Sequence, residues 1–392
     1  MTVVAEEWQT RARKLADQLA AAGKLKSEAW RDAVCAVPRH AFVPEVFRQD
    51  RLDQYDPTWR QLDTTTVAGR QEWLDQVYSD TVLITALDRT TGSPSLLSTS
   101  SMPALMTRML ETLDVRDGHR VLEIGTGTGY NAGLLSHRLG DTTVFSVDIE
   151  PDLVELARQR LARLGYHPTL VATDGATGLP EHAPYDRIIA TCSVPTVPWE
   201  WMQTRLGGVI LTDLKTALSA GSLVRLTRYA DRAEGPFDPT YAAFMSLRHH
   251  PAAQHRTRPR PRKRHDSEPE HRTTTLSPLT PTKLLVVWFL ASFTLGPDIS
   301  RGYCRFEDGQ PTAASITIGD GSWAEVTLAD DHGAHHVTEG GPNRVWRIIE
   351  DAHDLWRRLD QPNWDRFGLT VTAHHHTVWL DTPDSSHQWP VG

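Results

Sequence analysis

The stretch "VLEIGTGTGY", Val121 to Tyr130, decides how this chain folds. A β-branched run ends at Glu123 and Ile124, and Gly125, Gly127 and Gly129 then alternate through a tight turn ahead of the apolar-spaced segment "GYNAGLLSHRL". Glycines at this spacing let a ligand approach the backbone where a helix begins. A dinucleotide-binding turn would carry a further glycine at position 130. Tyr130 stands there instead, so the pyrophosphate pattern fails at its most diagnostic place.

Outward from this turn, short β-branched runs alternate with helical segments: "TVFSVD", "PDLVELARQRLARL", "PTLVAT", "YDRIIAT" and "GGVILTDL". That alternation predicts a parallel sheet covered by helices, a Rossmann-like α/β core. A G-x-G-x-G turn suits S-adenosylmethionine, which has no pyrophosphate to cradle. Asp148 ends the second strand, followed by Ile149, where an acid can accept both ribose hydroxyls at the carboxyl edge of the sheet. Asp174 and Gly175 follow the third strand, where a carboxylate would meet the adenine amine. The expected cofactor site is Glu123, Gly125, Thr126, Gly127, Gly129, Asp148, Ile149, Asp174 and Gly175, with S-adenosylhomocysteine as product and no metal.

The chain of 392 residues is long enough for two or three domains. A net charge of −8 argues against a general nucleic-acid binder. No Asn-Pro-Pro-Tyr or Asp-Pro-Pro-Tyr segment, which would stack a flipped base, occurs. Cys35, Cys192 and Cys304 lie far apart with no C-x-x-C pair, as in a reducing cytoplasm. The N-terminus reads as an amphipathic helix and not a signal peptide, and the longest apolar run, "LLVVWFLASF" from Leu284, is too short to cross a bilayer. A cytoplasmic protein without membrane or nucleic-acid partners is expected.

Four segments follow. Residues 1–95 form a helical lead-in, 96–248 the cofactor-binding core, 249–282 a disordered basic, proline-rich linker, and 283–392 a smaller α+β domain. The linker has almost no large apolar side chains and packs six basic residues between Arg256 and Arg264. In the last segment, strands are expected at "LLVVWFLASF", "ASITIG", "WAEVTLA", "GLTVTA" and "TVWLD", with a helix at "NRVWRIIEDAHDLWRRL". The histidines at 332–336 and 374–376 lack the partners of a metal site and read as solvated turns. Trp323, Trp346, Trp356, Trp364 and Trp379 read as core.

The sequence resembles the protein-L-isoaspartate O-methyltransferases. The resemblance is carried by "VPRHAFVPE", by "STSSMPALMTRMLETLDVRDGHRVLEIGTGTGY", by "DGATGLPEHAPYDRIIATCSVPTVP" and by "LGGVIL". It implies that the serine of a Ser-x-Pro element, here Ser101 before Met102 and Pro103, lies at the active site near the transferred methyl and the acceptor carboxylate. Ser98, Thr99 and Ser100 are then loop and capping residues, with Ser100 the second candidate. Met102, Cys192, Ser193, Val194 and Pro195 are the implied acceptor-side residues. The substrate would be a peptide or protein carrying aspartate or isoaspartate, esterified on its side-chain carboxylate and closing to a succinimide. The family's usual ending after "LGGVIL" is missing. The extension resembles an actinobacterial branch that methylates a chosen aspartate in ribosomally made, modified peptides and leaves aspartimide or isoaspartate; isoaspartyl repair is the alternative.

Overall fold

The computed structural model describes residues 2–49, 59–89, 94–216, 220–249, 263–279, 284–329 and 332–391. They form two compact units, one of Met1–Thr191 with Glu200–Leu211, the other of Cys192–Trp199 with Thr212–Gly392. The division differs from the boundary expected at 248, because the chain leaves the first unit and returns to it through two long strands.

The first unit opens with helices α1 (Thr2–Ala21), α2 (Glu28–Ala36) and α3 (Arg39–Phe42). Strands β1 (Phe47–Gln49) and β2 (Trp59–Gln61), helix α4 (Val67–Val77), and strands β3 (Leu83–Asp88) and β4 (Ser95–Ser100) follow. The four strands pair in the order β2-β1-β3-β4. Ser98, Thr99 and Ser100 are therefore strand residues paired with β3 and not a capping loop. Helix α5 (Pro103–Leu113) follows at once, and Asp80 caps it, its Oδ1 accepting from the Ala104 amide at 2.7 Å. A carboxylate from an earlier loop thus takes the orphan N–H that a serine was expected to take.

The parallel core then runs through β5 (Val121–Ile124), α6 (Tyr130–Leu139), β6 (Val144–Asp148), α7 (Pro151–Arg163), β7 (Thr169–Ala172), β8 (Tyr185–Val194) and β9 (Thr204–Lys215). Its order is β9-β8-β5-β6-β7, with β8, β5, β6 and β7 parallel. All four β5 residues are buried, as expected of a strand covered on both faces. Helix α7 buries Val154, Ala157 and Leu161, one stripe at helical spacing.

The second unit takes the ends of β8 and β9 and adds β10 (Gly221–Arg228), β11 (Ala233–Pro236), β12 (Glu270–Thr274), α8 (Leu285–Leu295), β13 (Ser300–Glu307) and β14 (Gln310–Thr317). It closes with β15 (Trp323–Thr327), β16 (His335–Gly340), α9 (Val345–Arg358), β17 (Phe367–Val371), β18 (His376–Leu380) and β19 (Gln388–Val391). One set of strands runs β19-β18-β17-β11-β10-β9, and the other is β12-β16-β15-β14-β13.

Two expectations fail here. "LLVVWFLASF" is helical: α8 is apolar around its whole circumference, and an unbroken apolar run carries no period to separate a buried strand from a buried helix. Phe289 of α8 packs its ring 5.2 Å from Trp364 and 6.0 Å from Phe367, and Trp288 lies 6.3 Å from Trp346, so this helix is the centre of the core. The expected disordered linker contains β12, paired antiparallel with β16, while Arg264 bridges to Glu325 at 2.6 Å and Arg272 to Glu339 at 2.9 Å. A polar strand with few apolar residues is held by ladder bonds and by carboxylates supplied from distant strands, which local composition does not reveal. Residues 250–262 and 280–283, including Arg256 to Arg262 of the basic run, lie outside the described residues.

Trp323, Trp346, Trp364 and Trp379 are buried as expected. His335 is also buried, its Nδ1 2.8 Å from the Thr327 carbonyl. His376 is half-buried with Nε2 2.9 Å from the Val197 carbonyl, so neither is a solvated turn residue. Among the described residues no cluster of metal-ligating side chains occurs, and no helix is long and apolar enough to cross a membrane.

Candidate active site

The glycine turn sits at the carboxyl end of β5, and the ends of the flanking parallel strands bring the two expected acids to the same edge. Gly125 and Thr126 donate their amides to the Val147 carbonyl at 2.8 and 3.1 Å, which docks the turn on β6. Gly127 donates to Asp148 Oδ2 at 2.9 Å, so the acid after β6 braces the middle of the turn. Asp148 Oδ1 accepts the Glu150 amide at 3.2 Å, and the Asp148 carbonyl accepts from Thr173, tying β6 to the end of β7.

The three glycines serve different ends. All have positive φ, 98°, 51° and 89°. A Cβ at Gly125 would stand 2.7 Å from Thr191 Oγ1, and one at Gly129 would stand 2.9 Å from the Cβ of Ala157. A Cβ at Gly127 would meet nothing within 4 Å. Gly125 and Gly129 are thus required by packing, whereas the space over Gly127 is open to a ligand.

Glu123 and Thr126 lie beneath the turn. Glu123 is fully buried, Oε1 accepting from Asn131 Nδ2 at 2.7 Å and Oε2 from Ser146 Oγ at 2.6 Å. With that proton given to the carboxylate, Ser146 accepts in turn from Thr126 Oγ1 at 2.6 Å. Burial pushes Glu123 up to about 7, against the Ser146 and Asn131 hydrogen bonds that favour the charged form, and the neighbouring Asp148 charge adds to the rise. Both were expected to touch the cofactor. Within the protein the Glu123 carboxylate is held by Asn131 and Ser146 and the Thr126 hydroxyl by Ser146, so both brace the turn from below.

Asp174 follows β7 and accepts the Ala176 amide on Oδ1 at 2.9 Å, capping a short helical turn. The Gly175 carbonyl accepts from Trp201 Nε1 at 2.9 Å. Ile149 is partly exposed beside Asp148.

Ser101 and Met102 stand between β4 and α5, both partly exposed. The Ser101 hydroxyl makes no hydrogen bond among the described residues, while its carbonyl accepts from Arg39 Nη2 at 3.0 Å. Ser100 is buried, its Oγ 3.4 Å from the same Nη2, which leaves Ser101 as the hydroxyl facing outward. Arg39 is itself fully buried. Its Nη1 donates to the carbonyls of Val77 and Ser79 at 2.8 and 3.1 Å, and Nη2 also reaches the Thr81 carbonyl at 3.5 Å. Burial pushes this guanidinium down to about 10, so it remains charged at neutral pH.

Cys192, Ser193 and Val194 were expected in a loop lining the acceptor pocket. Strand β8 continues through Val194, and all three are buried. In the second unit, the Ser193 amide donates to Met245 and the Ser193 carbonyl accepts from Leu247, both at 2.8 Å. Pro195 is the exposed member of the set.

Sequence reasoning missed Arg39, Asp80, Asn131, Ser146 and Thr191. Thr191 donates to the Gly125 carbonyl at 2.8 Å and so locks the turn from β8. Arg39 lies in the recognised segment "VPRHAFVPE", which was a signal without a role. Asp80, Ser146 and Thr191 act across 23 residues or more and leave no local pattern, while Asn131 reaches Glu123 across only eight.

Comparison with known proteins places this geometry in a family. The family profile described as Protein-L-isoaspartate(D-aspartate) O-methyltransferase (PCMT) matches residues 60–233. A protein-L-isoaspartate O-methyltransferase of Methanococcoides burtonii is 36% identical over 169 residues, 43% of this chain and 66% of that protein. One from Ignicoccus hospitalis is 31% identical over 206 residues, 52% of this chain and 81% of that protein. A solved structure described as a protein-L-isoaspartate O-methyltransferase has a similar fold, with TM-score 0.55 and 22% identity, over 95% of this chain and 100% of its own. That likeness covers most of the second unit as well and concerns the fold alone. By its similarity to relatives over most of their length, the chain belongs to the protein-L-isoaspartate O-methyltransferase family.

Proposed function

We propose that this protein transfers the methyl group of S-adenosylmethionine to the side-chain carboxylate of an isoaspartyl residue in a peptide or protein. The observation that carries this reading is the open space over Gly127, flanked by Asp148 at the adjacent strand end, in a chain of this family. Asp148, Ile149, Asp174 and the backbone of the glycine turn would hold the cofactor, which when bound supplies an electrophilic methyl group. Glu123 and Thr126 support that turn from beneath. Ser101 offers a free hydroxyl that donates to the acceptor and orients it.

The chemistry asks little more of the protein. A carboxylate is already ionised at neutral pH, so transfer needs alignment and a dry pocket and no general base. The methyl ester has a better leaving group than the acid, and the neighbouring backbone nitrogen displaces methanol to close a succinimide. Hydrolysis then opens the ring to aspartate or isoaspartate. Three cysteines outside any disulfide fit a cytoplasmic setting.

A second reading is methylation of a chosen aspartate in a modified, conformationally restrained peptide, with the second unit helping to hold it. The resemblance of "GSWAEV", "WDRFGLTVT" and "VWLD" to that branch favours it. The test is labelled-methyl incorporation by the full chain into an isoaspartyl peptide, the same peptide with ordinary aspartate, and a ring-constrained aspartyl peptide. Turnover of the first alone supports repair, turnover of the constrained peptide alone supports tailoring, and incorporation into none overturns both.

A further inference from the structure

Arg39 touches both halves of the site described above. Its carbon Cζ lies 5.8 Å from the ring centroid of Tyr130, the residue directly after Gly129 and the first of α6. Its Nη2 holds the carbonyl of Ser101 and the hydroxyl of Ser100. We propose that Arg39 is a positioning residue for methyl transfer, fixing the Ser101 hydroxyl relative to the glycine turn; the proposal rests on the carboxyl-methyltransferase reading.

The argument begins with the cost of placing a guanidinium there. A fully buried cation loses its hydration, and an apolar side chain of similar size would fill the volume without that loss. No carboxylate lies within ion-pair distance of Arg39 among the described residues, and its Nε has no hydrogen-bond partner. What the cation gains is a fan of acceptors on two segments, residues 77–81 at the end of α4 and residues 100–101 at the end of β4. The first segment also carries Asp80, which starts α5 through Ala104.

Ser101 is therefore bounded on both sides by contacts that lead back to one place. Before it, Arg39 holds the strand end; after it, Asp80 holds the helix start. Among the described residues the hydroxyl has no partner of its own to aim it, so its direction follows from this backbone frame. The Tyr130 ring adds the tie to the donor side. A lysine at position 39 would keep the charge but has one nitrogen, which cannot span acceptors on both segments.

The deciding experiment is a double-mutant cycle in the full chain with an isoaspartyl peptide. Arg39→Lys is expected to lower kcat at least tenfold while the affinity for S-adenosylmethionine, read by calorimetry, stays within threefold. If Arg39 acts through the Ser101 hydroxyl, adding Arg39→Lys to Ser101→Ala costs little further, because the group being positioned is already gone. A structural role would instead multiply the two losses. Ser100→Ala, which removes one acceptor from the fan without opening a large cavity, is a milder second variant should Arg39→Lys not fold. It is expected to lower kcat about threefold in the parent and not at all in Ser101→Ala. Multiplicative losses in the cycle, or an Arg39→Lys protein with parental kcat, overturn the proposal. An inactive parent protein would instead count against the function from which the proposal starts.

Discussion

The Asp148 carboxylate braces the turn that lies beside it: Oδ2 accepts the Gly127 amide at 2.9 Å, 21 residues away in sequence. We propose that the same group also accepts the cofactor's ribose hydroxyls, and the two duties can be separated. Asp148→Asn keeps an oxygen for Gly127 but loses the charge, and Asp148→Ala loses both. Calorimetry with S-adenosylmethionine should show affinity falling roughly ten- to a hundredfold in Asp148→Ala, the worth of hydrogen bonds to a charged group, and less in Asp148→Asn. Parental affinity in Asp148→Ala would remove this residue from the site.

Gly127 and Gly129 should respond to alanine in different ways. At Gly129 the new methyl meets Ala157 of α7, so Gly129→Ala is expected to lower the thermal midpoint clearly. At Gly127 the space is empty and φ is +51°, a region that costs a non-glycine residue about 1–2 kcal/mol. Gly127→Ala should fold and yet bind S-adenosylmethionine at least tenfold more weakly. Equal cofactor binding by Gly127→Ala and the parent would show that no ligand uses that space.

Ser101→Ala should separate donor from acceptor. Among the described residues the hydroxyl has no partner, so its loss is expected to leave folding and cofactor affinity near parental values. Labelled-methyl transfer to an isoaspartyl peptide should fall by one to two orders of magnitude, as expected when a group that orients the acceptor is removed. Should Ser100→Ala lose activity while Ser101→Ala keeps it, the acceptor-orienting role moves to Ser100.

Glu123 makes stability depend on pH in a direction unusual for a carboxylate. Burial raises it from 4.5 to about 7 in the folded protein, so the folded state holds the proton more tightly than the unfolded chain. Its contribution is complete below about 4.5 and is lost as pH rises through about 7, at no more than about 1.4 kcal/mol per pH unit. Glu123→Gln carries the neutral group at all pH values, with an oxygen for Asn131 and a donor for Ser146. Thermal melts from pH 5 to 8 should therefore show the parent losing stability relative to Glu123→Gln. Parallel profiles would mean that Glu123 ionises without penalty in the folded state.

The candidate site was legible wherever it is written in a local pattern. The alternation of glycines at 125, 127 and 129, and acids placed directly after successive β-branched runs, require only chain order and the parallel arrangement to meet at one edge. The same kind of reading is incomplete where a residue's role depends on what lies across from it. Glu123 looks like a ligand contact beside the turn, yet Asn131 and Ser146 enclose it. Ser98 to Ser100 look like capping hydroxyls, yet Asp80 caps the helix and those serines pair in a strand.

By itself, the sequence determined the parallel α/β core and the cofactor class, because periodicity and the special freedom of glycine act over a few residues, whereas Ser101 entered only through the family resemblance. The tertiary structure decided everything that depends on long-range partners. Only the fold turns "LLVVWFLASF" into a helix, since an unbroken apolar run is indifferent between strand and helix until Phe237, Trp346 and Phe367 surround it. Only the fold makes a strand of residues 270–274, whose ladder partner β16 begins at His335. And only the fold carries Arg39 to Ser101, because a buried guanidinium finds its acceptors on segments that the chain brings together after the local elements have formed.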